Sequence, residues 1–264
     1  VGGRGLSILY KFHRKGLNTV CIPRSVENDI ASTMVSFGFN SALSFTIEML
    51  DRARQAARAA RQIVVVEVLG SQSGWLALQG GVAAGADVIL IPEIPCDLRE
   101  VAAKLEEAVT PERPYALVVV AEGAKFIDDP EAKSEEPSSL RASLSPLATD
   151  EAGEHVIRRS GRAANTVARK LQLLTAQETY PAVLGPWARA GSPSAVDRQL
   201  ALAYGAAAVR ALNAGENGAM VAFQPPDIEC VPLVKAINKV RTVPADSEFV
   251  QIARSLGIFL GDAS

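Results

Sequence analysis

The stretch IVVVEVLG at residues 63–70 constrains the fold most strongly. It is almost wholly β-branched and ends in Gly70, which is typical of a strand buried on both faces of a parallel sheet. The flanking sequence predicts helices at residues 40–61, 75–84 and 98–108 and strands at 88–91 and 115–120. Strands that alternate with helices of this length form βαβ units with right-handed crossovers. The sequence therefore predicts an α/β fold with mainly parallel sheets.

A polar loop follows another short apolar run, in the segment IPRSVENDI at residues 22–30. A strand should end at Pro23, because proline lacks an amide donor and biases the preceding residue away from helix. Glu27 and Asp29 then lie at the carboxyl end of a strand, where open α/β sheets bind ligands. A carboxylate there can take a proton from a substrate hydroxyl or hold a metal. Alternatively, Asn28 or Asp29 caps the next helix.

The chain begins at Val1 with the glycine turn GGRG at residues 2–5. Such a turn normally follows a strand, so we expect that a strand and whatever preceded it are missing. Glycines let a backbone approach a phosphate, and the helix predicted at residues 6–15 would offer its N-terminus to an anion. A plain tight turn is the alternative interpretation.

The remaining chain continues the α/β pattern after one interruption. Residues 126–152 lack periodicity, which predicts a mobile surface loop. Beyond it the sequence predicts helices at 154–171 and 195–214, strands at 179–184 and 220–223, a glycine-containing loop at 185–193, and a partly helical tail from residue 232 onward.

Composition excludes several partners. A net charge of −2 and a pI near 5.8 give no electrostatic case for nucleic acid or an anionic membrane. Cys21, Cys96 and Cys230 lack metal-type spacing, and each lies beside apolar residues as a reduced core thiol would. No apolar run reaches the roughly 18 residues that span a bilayer. We therefore expect a cytoplasmic protein.

Five segments follow one another in the order IPRSVENDI, VVVEVLGSQSGWLAL, GADVILIPE, VVVAEGA and AVLGPWARAGSPSAVDRQLA. Together they resemble the phosphofructokinase family, nearest to its bacterial branch of ATP-dependent and pyrophosphate-dependent enzymes. The resemblance implies phosphoryl transfer to fructose 6-phosphate, Mg²⁺, and homo-oligomers with effectors at subunit interfaces. It also implies two Rossmann-like lobes, the nucleotide lobe being residues 1–38 and 188–235 and the sugar-phosphate lobe 39–187 and 236–264. Roughly the family's first hundred residues have no counterpart here.

The resemblance assigns catalytic roles to three residues of the 22–30 loop. Glu27 stands where the family has the aspartate that accepts the sugar hydroxyl's proton, and Ser25 where a threonine contacts the transferred phosphoryl group. Asp29 resembles the acid that supports the metal and phosphoryl transfer. The extra methylene of Glu27 moves the carboxylate by about 1 Å, and such a displacement can cost about a hundredfold in rate.

Binding roles follow in the same way. The substrate-binding residues are Glu122, Arg189, Leu69 and Gly70, and the nucleotide or phosphate site comprises Gly3, Arg4, Gly5 and Arg24. Gly5 is of the ATP type, whereas Arg24 keeps the cation of the pyrophosphate-using branch, so the donor stays open. Arg54 and Glu93 resemble residues of the effector site, the alternatives being a solvated helix arginine and a strand-end acid.

Several family residues are replaced. Arg4 occupies the place of the magnesium-binding aspartate, and this replacement argues against Mg²⁺. Two roles remain for Arg4: it binds an anion, or it pairs with Glu27 or Asp29. The side chains with which the family binds the sugar phosphate are replaced by Gln62, Ser71, Tyr180 and Pro186. Each lost charge-assisted bond removes about 1.5 to 3 kcal/mol. Two hypotheses result: an impaired phosphofructokinase, or an inactive regulatory or structural subunit that assembles with a catalytic relative.

Overall fold

The structure, a computed structural model, describes residues 1–127 and 161–262. Within these residues the helices are α1 (Gly3–His13), α2 (Phe39–Ala60), α3 (Trp75–Ala84), α4 (Leu98–Ala108), α5 (Arg162–Thr175), α6 (Ala195–Asn213), α7 (Leu233–Ala236) and α8 (Glu248–Ser255), with a 3₁₀-helix at Gly185–Arg189. The strands are β1 (Val20–Cys21), β2 (Arg24–Ser25), β3 (Phe37–Gly38), β4 (Ile63–Val68), β5 (Val88–Leu90), β6 (Ala116–Ala121), β7 (Thr179–Val183), β8 (Ala219–Gln224) and β9 (Asp227–Pro232).

The larger sheet is fully parallel and has the strand order β5-β6-β4-β7. Every residue of β4 and of β6 is buried, as the β-branched run predicts. One face of the sheet packs on a core that includes α2, α3 and α8, and the other packs on α4 and α5. The predicted α/β class with mainly parallel sheets is therefore confirmed.

A smaller sheet has the order β1-β8-β9, in which β1 and β8 are parallel and β9 is antiparallel. Leu6 of α1 and Leu233 of α7 pack on one of its faces, and Tyr204 of α6 packs on the other. The strands β2 and β3 form a separate parallel pair. The division of the chain into two lobes at residues 38, 187 and 235 stays a prediction.

Some predicted elements need correction. The glycine turn predicted at residues 2–5 is wrong, because α1 already begins at Gly3 with Gly2 as its N-cap. Strand β9 was not predicted, and it leaves Cys230 exposed, whereas Cys21 and Cys96 are buried as expected. Of the loop predicted at residues 126–152, all but the first two residues lie outside the described part of the chain.

No helix among residues 1–127 and 161–262 is both long and apolar enough to cross a membrane.

Candidate active site

A cavity of about 880 Å³ opens beside the 22–30 loop. Five predicted site residues line it: Gly3, Arg24, Ser25, Asp29 and Arg189. Elements distant in sequence build its wall, since β2 and β3, the loop after β7 and the first two turns of α6 all contribute. The structure therefore brings most of the predicted catalytic and phosphate-binding residues to one concave site.

Local hydrogen bonds fix the shape of the 22–30 loop. The Ser25 hydroxyl donates to Asp29 Oδ1 at 2.5 Å and accepts from the Glu27 amide at 3.1 Å. Asn28 lies in the left-handed region at φ 55° and is buried, and its side-chain oxygen accepts from the Ser36 amide at 3.0 Å. The loop is therefore held by its own polar side chains.

The alternative interpretation, that Asn28 or Asp29 caps the next helix, is wrong. That helix is α2. Its N-cap residue is Gly38, which makes no side-chain hydrogen bond to cap the helix. Asp197 of α6 binds the amides there, accepting from Gly38 N at 2.8 Å and from Ser41 N at 2.6 Å. The acids of the loop are consequently free of a capping duty.

Glu27 lies beside the cavity, and both of its carboxylate oxygens are bound. Oε1 accepts from Arg189 Nη2 at 3.2 Å, and Oε2 accepts from the Ser71 amide at 3.2 Å and from its hydroxyl at 3.3 Å. Only 12% of the Glu27 side chain is exposed, against 53% for Arg189. Arg189 thus joins the proposed base to the cavity that it lines.

The ion pair that we considered between Arg4 and Glu27 or Asp29 does not form. Within the described ranges Arg4 is an exposed residue with no ion pair, and the cation on Glu27 is Arg189 instead. Neither Arg4 nor Gly5 lines the cavity, although Gly3 in the same first turn of α1 does, and a Cβ added to Gly5 would meet the side chain of Val1.

Glu122 follows β6 and lies electrostatically close to two other acids. Partial desolvation raises the pKa of the Glu122 carboxyl above its ordinary value, and the negative charges of Glu27 and Glu67 raise this pKa further. A backbone hydrogen bond from Gly70 and the positive charge of Arg189 oppose this rise in the Glu122 pKa. The neighbourhood therefore favours a Glu122 carboxyl that takes up a proton more readily than a free glutamate.

Leu69 and Gly70 form the turn that carries Ser71. Gly70 has φ of 148°, and a Cβ at this position would lie 2.7 Å from the Ser73 carbonyl oxygen, so only glycine fits without strain. Leu69 is buried in the core. Their role in binding substrate stays a prediction, but their role in shaping the turn is direct.

The two predicted effector residues lie at opposite ends of α3. Glu93 accepts from the Gly74 amide with both oxygens, at 3.0 and 3.1 Å, and from the Val243 amide at 2.7 Å. Arg54 approaches Gly85, which caps the other end, and pairs with Asp51 at 3.8 Å. A ten-residue helix is about 15 Å long, so one chain does not bring the two side chains together. Their effector role stays a prediction.

Two buried acids with clear structural roles escaped the sequence analysis. Glu67 on β4 binds the amides of Gly161 at 2.7 Å and Ala164 at 3.0 Å, which cap α5. Asp197, noted only as part of a family segment, does the same for α2. The signal for the role of Glu67 was an acid inside a β-branched run. Its partner amides could not be predicted, because they lie more than 90 residues away in the sequence.

Asp29 is the acid best placed to help hold a metal. No group of three or more His, Cys, Asp or Glu side chains within the described residues could ligate an ion. Mg²⁺, however, is usually bound by one or two carboxylates together with substrate phosphates. Asp29 lines the cavity alongside Arg24 and Arg189, so one carboxylate is within reach of an ion that arrives with a phosphate ligand. The metal role of Asp29 stays a prediction.

Comparison with known proteins identifies the family. The sequence profile described as Phosphofructokinase matches residues 1–212. The chain belongs to the phosphofructokinase family. It is 36% identical over 263 residues to an ATP-dependent 6-phosphofructokinase of Spirochaeta thermophila and 38% identical over the same length to one of Chloroflexus aurantiacus. Each match covers 99% of this chain and 68% of the relative.

Solved structures show the same phosphofructokinase fold. A pyrophosphate-dependent phosphofructokinase from Marinobacter aquaeolei matches with a TM-score of 0.74 at 22% identity, over 99% of this chain and 67% of that one. A phosphofructokinase from Saccharomyces cerevisiae matches over 82% of this chain and 26% of that one, with a TM-score of 0.64 and 29% identity. The fold predicted from the five sequence segments is therefore confirmed.

Proposed function

We propose that this protein transfers a phosphoryl group from ATP or pyrophosphate to fructose 6-phosphate, with Glu27 as the general base. The main support for this proposal is that one cavity is lined by Arg24, Ser25, Asp29 and Arg189, and that Glu27 binds Arg189 at the edge of this cavity. Relatives that bear the name ATP-dependent 6-phosphofructokinase support the reaction class. The cytoplasm is the proposed setting.

In this reaction the sugar hydroxyl oxygen attacks the terminal phosphorus of the donor. The bond from that phosphorus to the bridging oxygen breaks, which releases ADP from ATP or phosphate from pyrophosphate, and the hydroxyl proton passes to Glu27. Arg24 and Arg189 supply positive charge at the cavity wall. The Ser25 hydroxyl also lines the wall, and it would have to turn from Asp29 to donate to the transferred group. Bound Mg²⁺ would neutralise phosphate charge, and Asp29 with the donor's phosphate oxygens would hold it.

The proposed rate is low. Glutamate in place of aspartate weakens the base, because its carboxylate is displaced. Binding of the sugar phosphate is weakened as well, since the family's phosphate-binding cations are replaced by Gln62, Ser71, Tyr180 and Pro186. We expect turnover at least about a thousandfold below the 1 to 100 per second usual for kinases. A coupled assay of the purified protein with Mg²⁺, fructose 6-phosphate and either donor measures it, and a rate within the usual range would contradict the impairment.

The second candidate is an inactive subunit that assembles with copies of itself or with a catalytic relative. The observation favouring it is an exposed apolar surface on α6, where Leu202 is 75% and Val209 is 58% exposed. Family members form oligomers, so this surface suits a subunit contact. Sedimentation of the protein alone, and mixed with an active relative, should show complexes. A monomer in both experiments would rule this candidate out.

A further inference from the structure

We propose that Ser71 is a positioning residue that orients the base Glu27 for proton transfer. This inference rests on the proposed function and adds a residue to it. Ser71 donates twice to Glu27 Oε2, through its amide at 3.2 Å and its hydroxyl at 3.3 Å, although it comes from a turn 44 residues further along the chain. Serine is the short residue here where the family carries an arginine.

The turn presents Ser71 from a fixed backbone. The Gly123 amide donates to the Gly70 carbonyl at 3.1 Å, which ties the turn to the end of β6. A Cβ added to Gly123 would lie 2.1 Å from the Ser71 carbonyl oxygen, so the two segments touch at the closest approach that the backbone permits. The amide of Ser71 is therefore a preorganised donor rather than a chance contact of a mobile loop.

The number of hydrogen bonds to each carboxylate oxygen of Glu27 indicates which oxygen can accept a substrate proton. An ionised carboxylate has about four acceptor positions, two on each oxygen. Ser71 fills both positions on Oε2, and Arg189 fills one on Oε1. Among the described residues no other donor reaches this carboxylate, so the remaining position is on Oε1, the oxygen that faces Arg189. The arrangement leaves one acceptor for a substrate proton and fixes its direction.

The pairing also explains how the longer base is accommodated. Glutamate places its carboxylate about 1 Å further from the backbone than aspartate does. An arginine at position 71 would add a second cation beside Arg189, whereas serine adds a neutral hydroxyl donor to the backbone amide that already binds Glu27. Ser71 and Glu27 are therefore a matched pair, and each should depend on the other.

The test compares Ser71→Ala with Ser71→Thr, which keeps the hydroxyl. Ser44→Ala is the matched control, because the hydroxyl of this α2 serine donates to the Asn40 carbonyl of its own helix and, among the described residues, to no other group. We expect Ser71→Ala to lower kcat about tenfold with the KM for the sugar phosphate within twofold, since one of two donors to the base is lost. Ser71→Thr should keep at least about half of the wild-type kcat, and Ser44→Ala should leave it unchanged.

A double variant separates positioning from general damage. In a Glu27→Gln background, Ser71→Ala should cause no further fall in kcat, because there is no base left to orient. A full additional tenfold fall would overturn the proposal, as would a single Ser71→Ala variant with wild-type kcat.

Failure of the proposed function has a different signature. If the wild-type protein itself shows no turnover with either donor, phosphoryl transfer is wrong, and the role of Ser71 in orienting a base falls with it. If the wild-type protein turns over but Ser71→Ala does so equally well, the function stands and only the positioning role is wrong. Urea unfolding of each variant checks that the kinetic changes do not come from lost fold.

Discussion

The molecule contains two sets of carboxylates with contrasting partners. Glu67, Glu93 and Asp197 are bound mainly by backbone amides at the N-termini of α5, α3 and α2. The site acids Glu27, Asp29 and Glu122 instead face the side chains of Ser25, Ser71 and Arg189 or one another. The amides that also reach them, of Ser71 and Gly70, belong to a turn and not to a helix N-terminus. A carboxylate satisfied by a helix N-terminus stabilises the fold even where it lines the cavity, as Asp197 does. A carboxylate held largely by side chains remains available for chemistry. Position among donors, rather than residue type, separates the two roles.

The contrast extends to burial. Glu67 and Asp197 are each only 2% exposed, so their charge is compensated entirely from within the protein. A buried charge left without its donors, or donors left without the charge, costs several times more than a surface contact. The structural acids should therefore dominate stability, and the site acids should dominate activity.

The largest effect on stability is expected for Asp197→Ala. This change leaves the amides of Gly38 and Ser41 and the Ser41 hydroxyl without their acceptor at the start of α2. We expect the free energy of unfolding, measured in urea, to fall by about 3 kcal/mol. Asp51→Ala, which removes an exposed acid of the same helix, is the matched control and should cost less than about 0.5 kcal/mol. Equal losses in the two variants would break the comparison.

A smaller effect of opposite sign is expected for Glu122→Gln. The raised pKa of Glu122 means that the folded protein holds its proton more tightly than the unfolded chain does. The charged form is therefore unfavourable in the folded state, and its cost appears as the pH rises from the ordinary value of 4.5 through the raised value. Above this window Glu122→Gln should increase the free energy of unfolding, by less than about 1 kcal/mol because solvent screens the group.

Below the ordinary pKa of glutamate the wild-type protein and Glu122→Gln should unfold alike, since both then carry a neutral group. The exposed Glu106→Gln on α4 is the control, and it should change the free energy of unfolding at neutral pH by less than about 0.5 kcal/mol. A Glu122→Gln variant that is less stable than the wild-type protein at neutral pH would contradict the placement of three acids close together.

Much of the architecture could be predicted from the sequence because its signals are local. The β-branched run at 63–68 gives β4, and the bounds of α3 and α4 follow from Gly74 and Gly85 and from the N-cap Asp97. Strand β9 was missed because it is a largely exposed edge strand rich in acids and ends in Pro232, so it lacks the apolar pattern of a buried strand. The start of α1 was misplaced because its first turn is rich in glycine.

The site was predicted only in part, for a physical reason. Family resemblance brought Ser25, Glu27 and Asp29 to attention, since they share one segment. The contacts of Glu27 with Ser71 and Arg189 join positions 44 and 162 residues apart, and no local pattern encodes such pairs. The replacement of an arginine by Ser71 looked like a loss in the sequence, whereas the structure shows that the Ser71 hydroxyl joins the backbone amide as a donor to the base.

The central claim is that Glu27 serves chemistry while the helix-capping acids serve the fold. Glu27→Gln tests it most directly, with turnover and urea unfolding measured on the same preparation. Glu48→Gln, which alters an exposed ion-paired acid of α2, is the control. The account predicts a fall in kcat of at least about a hundredfold, as expected for loss of a general base, and a change in the free energy of unfolding below about 1 kcal/mol. Unchanged turnover in Glu27→Gln, with a large loss of stability, would contradict it.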